Sequence, residues 1–372
     1  MMRLARVCHA KLQASIVDTI GSTPLIELQS LSRATGSTIL AKCEHLNPGG
    51  SVKDRAARWI VEAAEKEGLL KPGDCLVDGG GGNTGIGLGM VAAAKGYKSV
   101  HFVPASTSAA KIKAMRMFGT EVILTPSVPF TDPRHYFHQA SELAQRPGYF
   151  FTNQFENVAN SQAHYDSTAP ELWKTTNGKL DGFICCCGTG GTIGGVASLL
   201  KEVNPDVVCW IIDAPGSALQ PLVAAGPTYA TEGVSPSRDR TRYLGDKKVR
   251  FAARSPAGID GVFEGIGIDR ITTNFSRAFD ASYIDGAIKG TEKEAVDMVY
   301  YLKRAEGIAV GPSAALNVVG AVRLALRLGR GSEVATVLCD GAERYLEKLD
   351  STWLSARGLE PHPGGANEFL GL

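Results

Sequence analysis

Apolar residues along this chain fall into two patterns. Short runs rich in β-branched residues occur at Ile39–Cys43, Cys75–Val77, Ser99–Val103, Glu121–Leu124, Gly182–Cys187, Val207–Ile212, Gly307–Val310 and Thr336–Leu338, and they predict strands. Apolar positions spaced by three or four residues predict helices over Arg55–Glu67, Gly87–Lys95, Ala109–Phe118, Gly194–Val203, Glu292–Glu306 and Ala314–Leu328. Alternation of the two specifies an α/β fold, with parallel sheets covered by helices on both faces. Residues 126–134 and 215–249 read as loops, because strand–helix units resume after each. The tail 358–372, broken by proline and glycine, reads as loosely ordered.

Four glycine-rich turns sit before predicted helices: NPGGSVKDR (47–55), GGGGNTGIG (79–87), GTGGTIGG (188–195) and GPSAALN (311–317). Open parallel sheets bind ligands at the carboxyl ends of their strands. Helix N-termini there present unpaired N–H groups and a positive dipole end, so each turn is a candidate anion cup. Gly80, Gly82 and Gly85 formally satisfy GxGxxG, but no acid follows between Gly79 and Thr120 to hold a ribose, which argues against a nicotinamide dinucleotide. GTGGTIGG lacks the Gly-Lys-Ser/Thr ending of a nucleoside triphosphate loop. It suits one phosphate, held by backbone N–H groups and the hydroxyls of Thr189 and Thr192. The bland alternative is a tight strand–helix turn that binds nothing.

In GGSVKDR, Ser51 and Asp54 form an S-x-x-D capping pattern, which places Lys53 in the first helical turn. The positive dipole end disfavours a cation there, and if the site is also partly buried both effects favour a neutral amine. A neutral amine attacks aldehydes. An isolated lysine would ordinarily be a solvated surface residue. With a phosphate cup in the same chain, an aldehyde-binding lysine points to one cofactor, pyridoxal 5′-phosphate.

Bulk properties narrow the class. At 372 residues the chain can hold two domains of ordinary size, and 44% hydrophobic with 21% charged residues is globular composition. A net charge of +1 gives no field that favours nucleic acid or an acidic membrane. No apolar run reaches the roughly 18 residues of a membrane span. The cysteines are Cys8, Cys43, Cys75, Cys185, Cys186, Cys187, Cys209 and Cys339; no CxxC pair occurs, so no metal site is expected. They read as buried free thiols of a reducing compartment. The first seventeen residues contain Arg3, Arg6 and Lys11 and no acid. They fit a short organelle-targeting helix or an unstructured or capping terminus, which leaves a cytoplasmic or a mitochondrial location open.

The motifs VDTIGSTPLIEL, NPGGSVKDRAA, GNTGIGL, NQFEN, GTGGTIGG and EGIGIDRI occur in that order. With them the chain, from about Ile16 to Leu354, resembles the cysteine synthase group of fold-type II pyridoxal phosphate enzymes, which includes cystathionine β-synthase. The resemblance implies two open, twisted α/β domains like those of the tryptophan synthase β-subunit, with the cofactor between them. The larger would combine residues 16–54 and 164–354, and the smaller, mobile one residues 55–163. Residues 1–15 would be an extension and 355–372 a tail. By the same resemblance Lys53 carries the cofactor as an aldimine and acts as the catalytic base. Asn83 bonds the ring hydroxyl oxygen, and Gly188, Thr189, Gly190, Gly191 and Thr192 cradle the phosphate. Ser313 faces the pyridine nitrogen. Gly81, Gly82, Thr84 and Gln154 meet the substrate, the last two at its carboxylate, and Gly265 lies in the entrance loop Glu264–Gly267.

The implied reaction is β-replacement, converting O-acetyl-L-serine and sulfide to L-cysteine and acetate through an α-aminoacrylate, in a homodimer. Cystathionine formation, another β-substituted alanine, or a non-catalytic cofactor-binding paralogue are the alternatives. Two departures stand out. The group's Thr-Ser (or Thr-Ala) before Gly-Asn-Thr-Gly is here Gly80-Gly81, which keeps backbone donors and loses hydroxyls. This allows either a changed substrate or a weakened enzyme. Cys185–Cys187 replace the usual small residues before the phosphate loop; they read as strand packing, with a redox or catalytic thiol as the alternative.

Overall fold

The structure, a computed structural model, describes residues 12–225, 242–244, 247–251, 261–268 and 270–371. Two parallel sheets dominate it. In chain order the elements are β1 (Leu25–Glu27), α1 (Gln29–Thr35), β2 (Thr38–Lys42), α2 (Lys53–Lys66), β3 (Cys75–Gly79), α3 (Asn83–Lys95), β4 (Lys98–Pro104), α4 (Ala109–Met117), β5 (Glu121–Thr125), α5 (Tyr136–Leu143), β6 (Tyr149–Phe151), α6 (Ala159–Ala163), α7 (Ala169–Thr175), β7 (Gly182–Cys185), α8 (Gly191–Val203), β8 (Val208–Asp213), α9 (Leu219–Ala225), β9 (Arg242–Leu244), β10 (Lys247–Phe251), β11 (Arg270–Ile271), α10 (Thr273–Phe279), β12 (Gly286–Lys289), α11 (Glu292–Ala305), α12 (Pro312–Leu328), β13 (Glu333–Val337), α13 (Ser351–Ser355) and α14 (Ala366–Leu370). One sheet has the order β1-β2-β13-β7-β8-β12, all parallel except the antiparallel edge pair β1–β2. The other, β5-β4-β3-β6, is parallel throughout. A small antiparallel group joins β9, β10 and β11.

Both faces of the larger sheet are buried, as its uninterrupted apolar strands require. One face packs Ile39, Ile184, Ile212 and Val334 against α11 and α12 through Met298, Leu302, Leu316 and Val319. The other packs Phe183, Cys185 and Ile211 against α8 and α10 through Val196, Leu200, Phe275 and Phe279. The smaller sheet lies between α2–α3, which bury Val61, Leu88 and Val91, and α5, which buries Ala140.

The expected α/β architecture is present, with four local corrections. Gly307–Val310 is not a strand: only Val310 makes an isolated bridge, to Gly341, and the run is apolar because it connects two packed helices. Three unforeseen strands extend the sheets, β12 beside β8, β1 beside β2 and β6 beside β3. Within 215–249, α9 and the β9–β10 pair replace part of the expected loop, while residues 226–241 lie outside the described residues. The tail carries α14, whose Ala366 is buried against the main core together with Phe369 and Leu370. The proposed targeting segment lies, up to residue 11, outside the described residues, as does Cys8.

Candidate active site

A cavity of about 320 Å3 opens where the strand ends of the two sheets face each other. Lys53, Gly81, Gly82, Asn83, Thr84, Gln154, Gly188, Thr189, Gly190, Gly191, Thr192, Gly265 and Ser313 all line it. The structure thus brings together every site residue predicted from the sequence. It does so with helix ends. Lys53 begins α2, Asn83 begins α3, Gly191 begins α8 and Ser313 is the second residue of α12. The residues preceding α3, α8 and α12 are Gly82, Gly190 and Gly311, and none supplies a side-chain cap. Three helix ends therefore leave N–H donors for whatever occupies the cavity.

Local geometry explains the glycines. Gly190 has φ +83°, and a Cβ there would sit 2.5 Å from the Phe275 nitrogen. Only glycine lets the loop turn that tightly against α10. Behind the loop, Asn160 donates from Nδ2 to Thr189 Oγ1 at 2.9 Å, and Thr272 Oγ1 donates to the Thr189 carbonyl at 2.7 Å. His164 Nε2 lies 3.3 Å from Thr192 Oγ1. Burial holds this imidazole well below its ordinary pKa, so it is neutral and does not repel or attract an anion by charge.

Lys53 is half-buried, and its amine makes no hydrogen bond or ion pair among the described residues. Its helix is anchored by the next two residues. Asp54 turns away and accepts the Gly49 N–H at 2.6 Å, while Ser51 Oγ accepts the Lys53 N–H at 3.2 Å. The expected reciprocal capping box is therefore not formed, although the helix starts where that pattern put it. Arg55, fully buried, pairs with Glu44 at 2.8 Å and Glu171 at 2.7 Å.

Asn83 is held between two groups that sequence reasoning passed over. Its Nδ2 donates to Asp340 Oδ2 at 2.7 Å, and Arg344 Nη1 donates to its Oδ1 at 2.6 Å. Tyr345 also donates to Asp340 Oδ2, at 2.7 Å. The only signal for these residues was their place just after the strand β13, where a parallel sheet gathers its site. Ser313 is buried, and its carbonyl lies 3.8 Å from the Cys186 sulfur. Cys186 and Cys339 both line the cavity, and the neighbouring Cys339 thiol together with burial raises the Cys186 thiol well above its usual value. The described cysteines are all free, and Cys339 alone is not fully buried.

At the mouth, Lys111 of α4 is buried yet ion-paired to Glu264 at 2.7 Å, and Lys348 holds the other Glu264 oxygen at 3.0 Å. Burial pushes the Glu264 carboxyl up, but the two lysines outweigh it and hold it below the usual range. Arg270, buried beside Glu156, stacks over Phe130 at 4.4 Å and Phe155 at 4.8 Å.

This donor set fits pyridoxal phosphate. The glycine-capped end of α8 with Thr189 and Thr192 suits a phosphate, and an unengaged amine suits an aldehyde. Comparison with known proteins agrees. The sequence profile of the family described as pyridoxal-phosphate dependent enzymes matches residues 16–340. The chain belongs to this family. As a pyridoxal-phosphate dependent enzyme it is 41% identical to cysteine synthase of Dictyostelium discoideum over 356 residues, covering 95% of this chain and 89% of that one. It is 43% identical to cysteine synthase 1 of Emericella nidulans over 347 residues, covering 92% and 86%. Among solved structures, O-ureido-L-serine synthase superposes with a TM-score of 0.74 at 31% identity, covering 97% of this chain and all of that one, 100%. The similarity is that of a fold-type II enzyme along its whole length. Among the described residues, no cluster of metal-ligating side chains is present, and no helix is long and apolar enough to cross a membrane.

Proposed function

We propose that this enzyme is a cysteine synthase, replacing the β-acetoxy group of O-acetyl-L-serine with sulfide. The observation that carries the reading is one cavity joining an unengaged lysine amine, three helix ends preceded by glycine and the side chains of Thr84 and Gln154. Similarity to two cysteine synthases over most of the chain supports it. Bound pyridoxal phosphate supplies an electron sink that acidifies the substrate α-carbon and releases a β-substituent.

The protein supplies the rest. Gly188–Thr192 and the α8 N-terminus would hold the phosphate of the bound cofactor, and Lys53 Nζ would hold its aldehyde end. Asn83, fixed by Asp340 and Arg344, would hold the cofactor's ring hydroxyl. Ser313 would offer the ring nitrogen a hydroxyl rather than a carboxylate and so would not keep it protonated, which would favour expulsion of a β-group. Thr84, Gln154 and the N–H groups of Gly81 and Gly82 take the substrate carboxylate. Lys53 Nζ, once free, removes the α-proton and returns it at the end. Gly265, in the loop beside Glu264, covers the mouth and excludes water. In this reading residues 55–163 are the smaller unit that closes on substrate, the enzyme works as a homodimer, and its basic N-terminus suits the cytoplasm or the mitochondrion.

The test is direct. Borohydride reduction of the coloured protein followed by peptide mapping should place the cofactor on Lys53. Adding O-acetylserine should change the cofactor spectrum, and sulfide should restore it with release of cysteine. A label elsewhere, or a spectrum that ignores O-acetylserine, overturns the proposal.

A further inference from the structure

The two side chains assigned to the substrate carboxylate are turned on each other. Thr84 Oγ1 donates its hydrogen to Gln154 Oε1 at 2.5 Å. Gln154 Nε2 donates to Asp78 Oδ2 at 3.0 Å and to the Gly79 carbonyl at 3.1 Å. An amide has two N–H donors and a hydroxyl one, so every donor of this pair is spent inside the protein. Gln154 and Asp78 are both buried. Among the described residues no cation pairs with Asp78, and the Thr152 hydroxyl beside it donates to the Val77 carbonyl at 3.2 Å, so the Gln154 amide is the side-chain donor that Asp78 holds. A carboxylate arriving in the cavity therefore finds backbone donors, and no free side-chain donor from Thr84 or Gln154.

What permits this arrangement is the glycine run. Gly80 has φ +158°, at the edge of the region L residues avoid, so a side chain there strains the backbone, and its Cβ would lie 2.6 Å from Gln154 Nε2, a distance that forces the flexible amide aside. A Cβ at Gly81 would touch only the Gly265 backbone, at 3.4 Å and 3.5 Å, an ordinary contact. The two glycines that depart from the group pattern thus have different consequences. Gly81 leaves out a side chain that the space beside Gly265 would accept. Gly80 makes room for a retracted amide.

We propose that Asp78 and Gly80 form a holding site for the Gln154 amide, and that carboxylate recognition requires this amide to leave Asp78. Asp78 and Gly80 are then positioning residues that set affinity for the amino-acid substrate without touching it. The inference rests on the reading of Thr84 and Gln154 as the carboxylate pair. A methyl group at position 80 should push the amide off Asp78 towards the cavity, so binding no longer has to break the Asp78 contact. An unopposed hydrogen bond of this kind is worth about 1 kcal/mol, or roughly fivefold in affinity.

The experiment uses the holoenzyme and L-alanine, which carries the carboxylate and amine but no leaving group. Cofactor absorbance reports its dissociation constant. Gly80→Ala should tighten L-alanine binding about fivefold. The same substitution in a Gln154→Ala background should change nothing, because the group it displaces is gone. An equal effect in both backgrounds, or weaker binding by Gly80→Ala alone, overturns the proposal. Should Gly80→Ala fail to fold, a crystal structure of the parent holoenzyme with L-alanine decides: Gln154 Nε2 must be out of hydrogen-bond reach of Asp78, and an amide still on Asp78 rejects the idea. If L-alanine and O-acetylserine both leave the spectrum unchanged, the cysteine synthase reading itself fails. A normal spectral response with no coupling between positions 80 and 154 refutes only this inference.

Discussion

Helices α8 and α11 have 13 and 14 residues, sit on opposite faces of the same sheet and begin in opposite ways. At α11, Thr291 Oγ1 accepts the Glu294 N–H and the Glu294 side chain returns a bond to the Thr291 N–H, closing the helix end on itself. At α8 the preceding residue is Gly190, which has no side chain to close the end; Thr189 Oγ1 accepts only the first N–H, that of Gly191, at 3.3 Å. α3 and α12 follow α8. The difference separates structure from function within one fold: a helix that serves only the core satisfies its own donors, and one that serves a ligand leaves them open.

Predictions that test this contrast can be ranked by size. Lys53→Ala should lower turnover about a thousandfold or more by removing the base. The open α8 end should still retain cofactor in a reversible complex, seen as a spectrum lost on dialysis; a Lys53→Ala protein that holds no cofactor at all would deny α8 its role. Gly190→Ala places a methyl against Phe275 at a left-handed backbone position and should weaken cofactor binding by about 2 kcal/mol or more, measured by titration of resolved enzyme.

A third test concerns the backing of α3. His101 is buried against Gly85, and burial holds it down at about 4. The unfolded chain takes this proton near the ordinary 6.5 and the folded chain does not. Its contribution is therefore intact above that value and is lost as pH falls towards 4, by about 3 kcal/mol. Asp78, raised to about 7 by burial, acts with the opposite sign, so the clean observable is a difference. The melting temperature of His101→Asn should drop less between pH 6.5 and pH 4.5 than that of the parent, about 3 kcal/mol at most separating the two responses. Smallest of all, Thr291→Ala should cost about 1 kcal/mol of stability, a few degrees at most, and leave turnover and cofactor affinity unchanged.

Much of the site was legible because its parts are local. Glycine turns, helix starts and a first-turn lysine are written in a few consecutive residues, and all of them met at one cavity. What escaped was set by distant packing. Asp340 and Arg344 reach Asn83 across 257 and 261 residues of chain. Lys111 sits in a lysine-rich helix that gives no hint of burial. Gly307–Val310 and β12 were exchanged for a similar reason, since apolar runs report burial and do not distinguish a sheet from a packed connection. The Ser51–Asp54 pattern marked the helix start correctly, although the Asp54 carboxylate takes the Gly49 N–H, at 2.6 Å.

The Lys111–Glu264–Lys348 contact spans the gap between the helix of one sheet and the loop of the other. Widening that gap would return a desolvated ammonium and carboxylate to water, where mobile ions compete for both. Any motion that parts the two sheets must therefore meet an ion-pair cost that dissolved salt offsets in part.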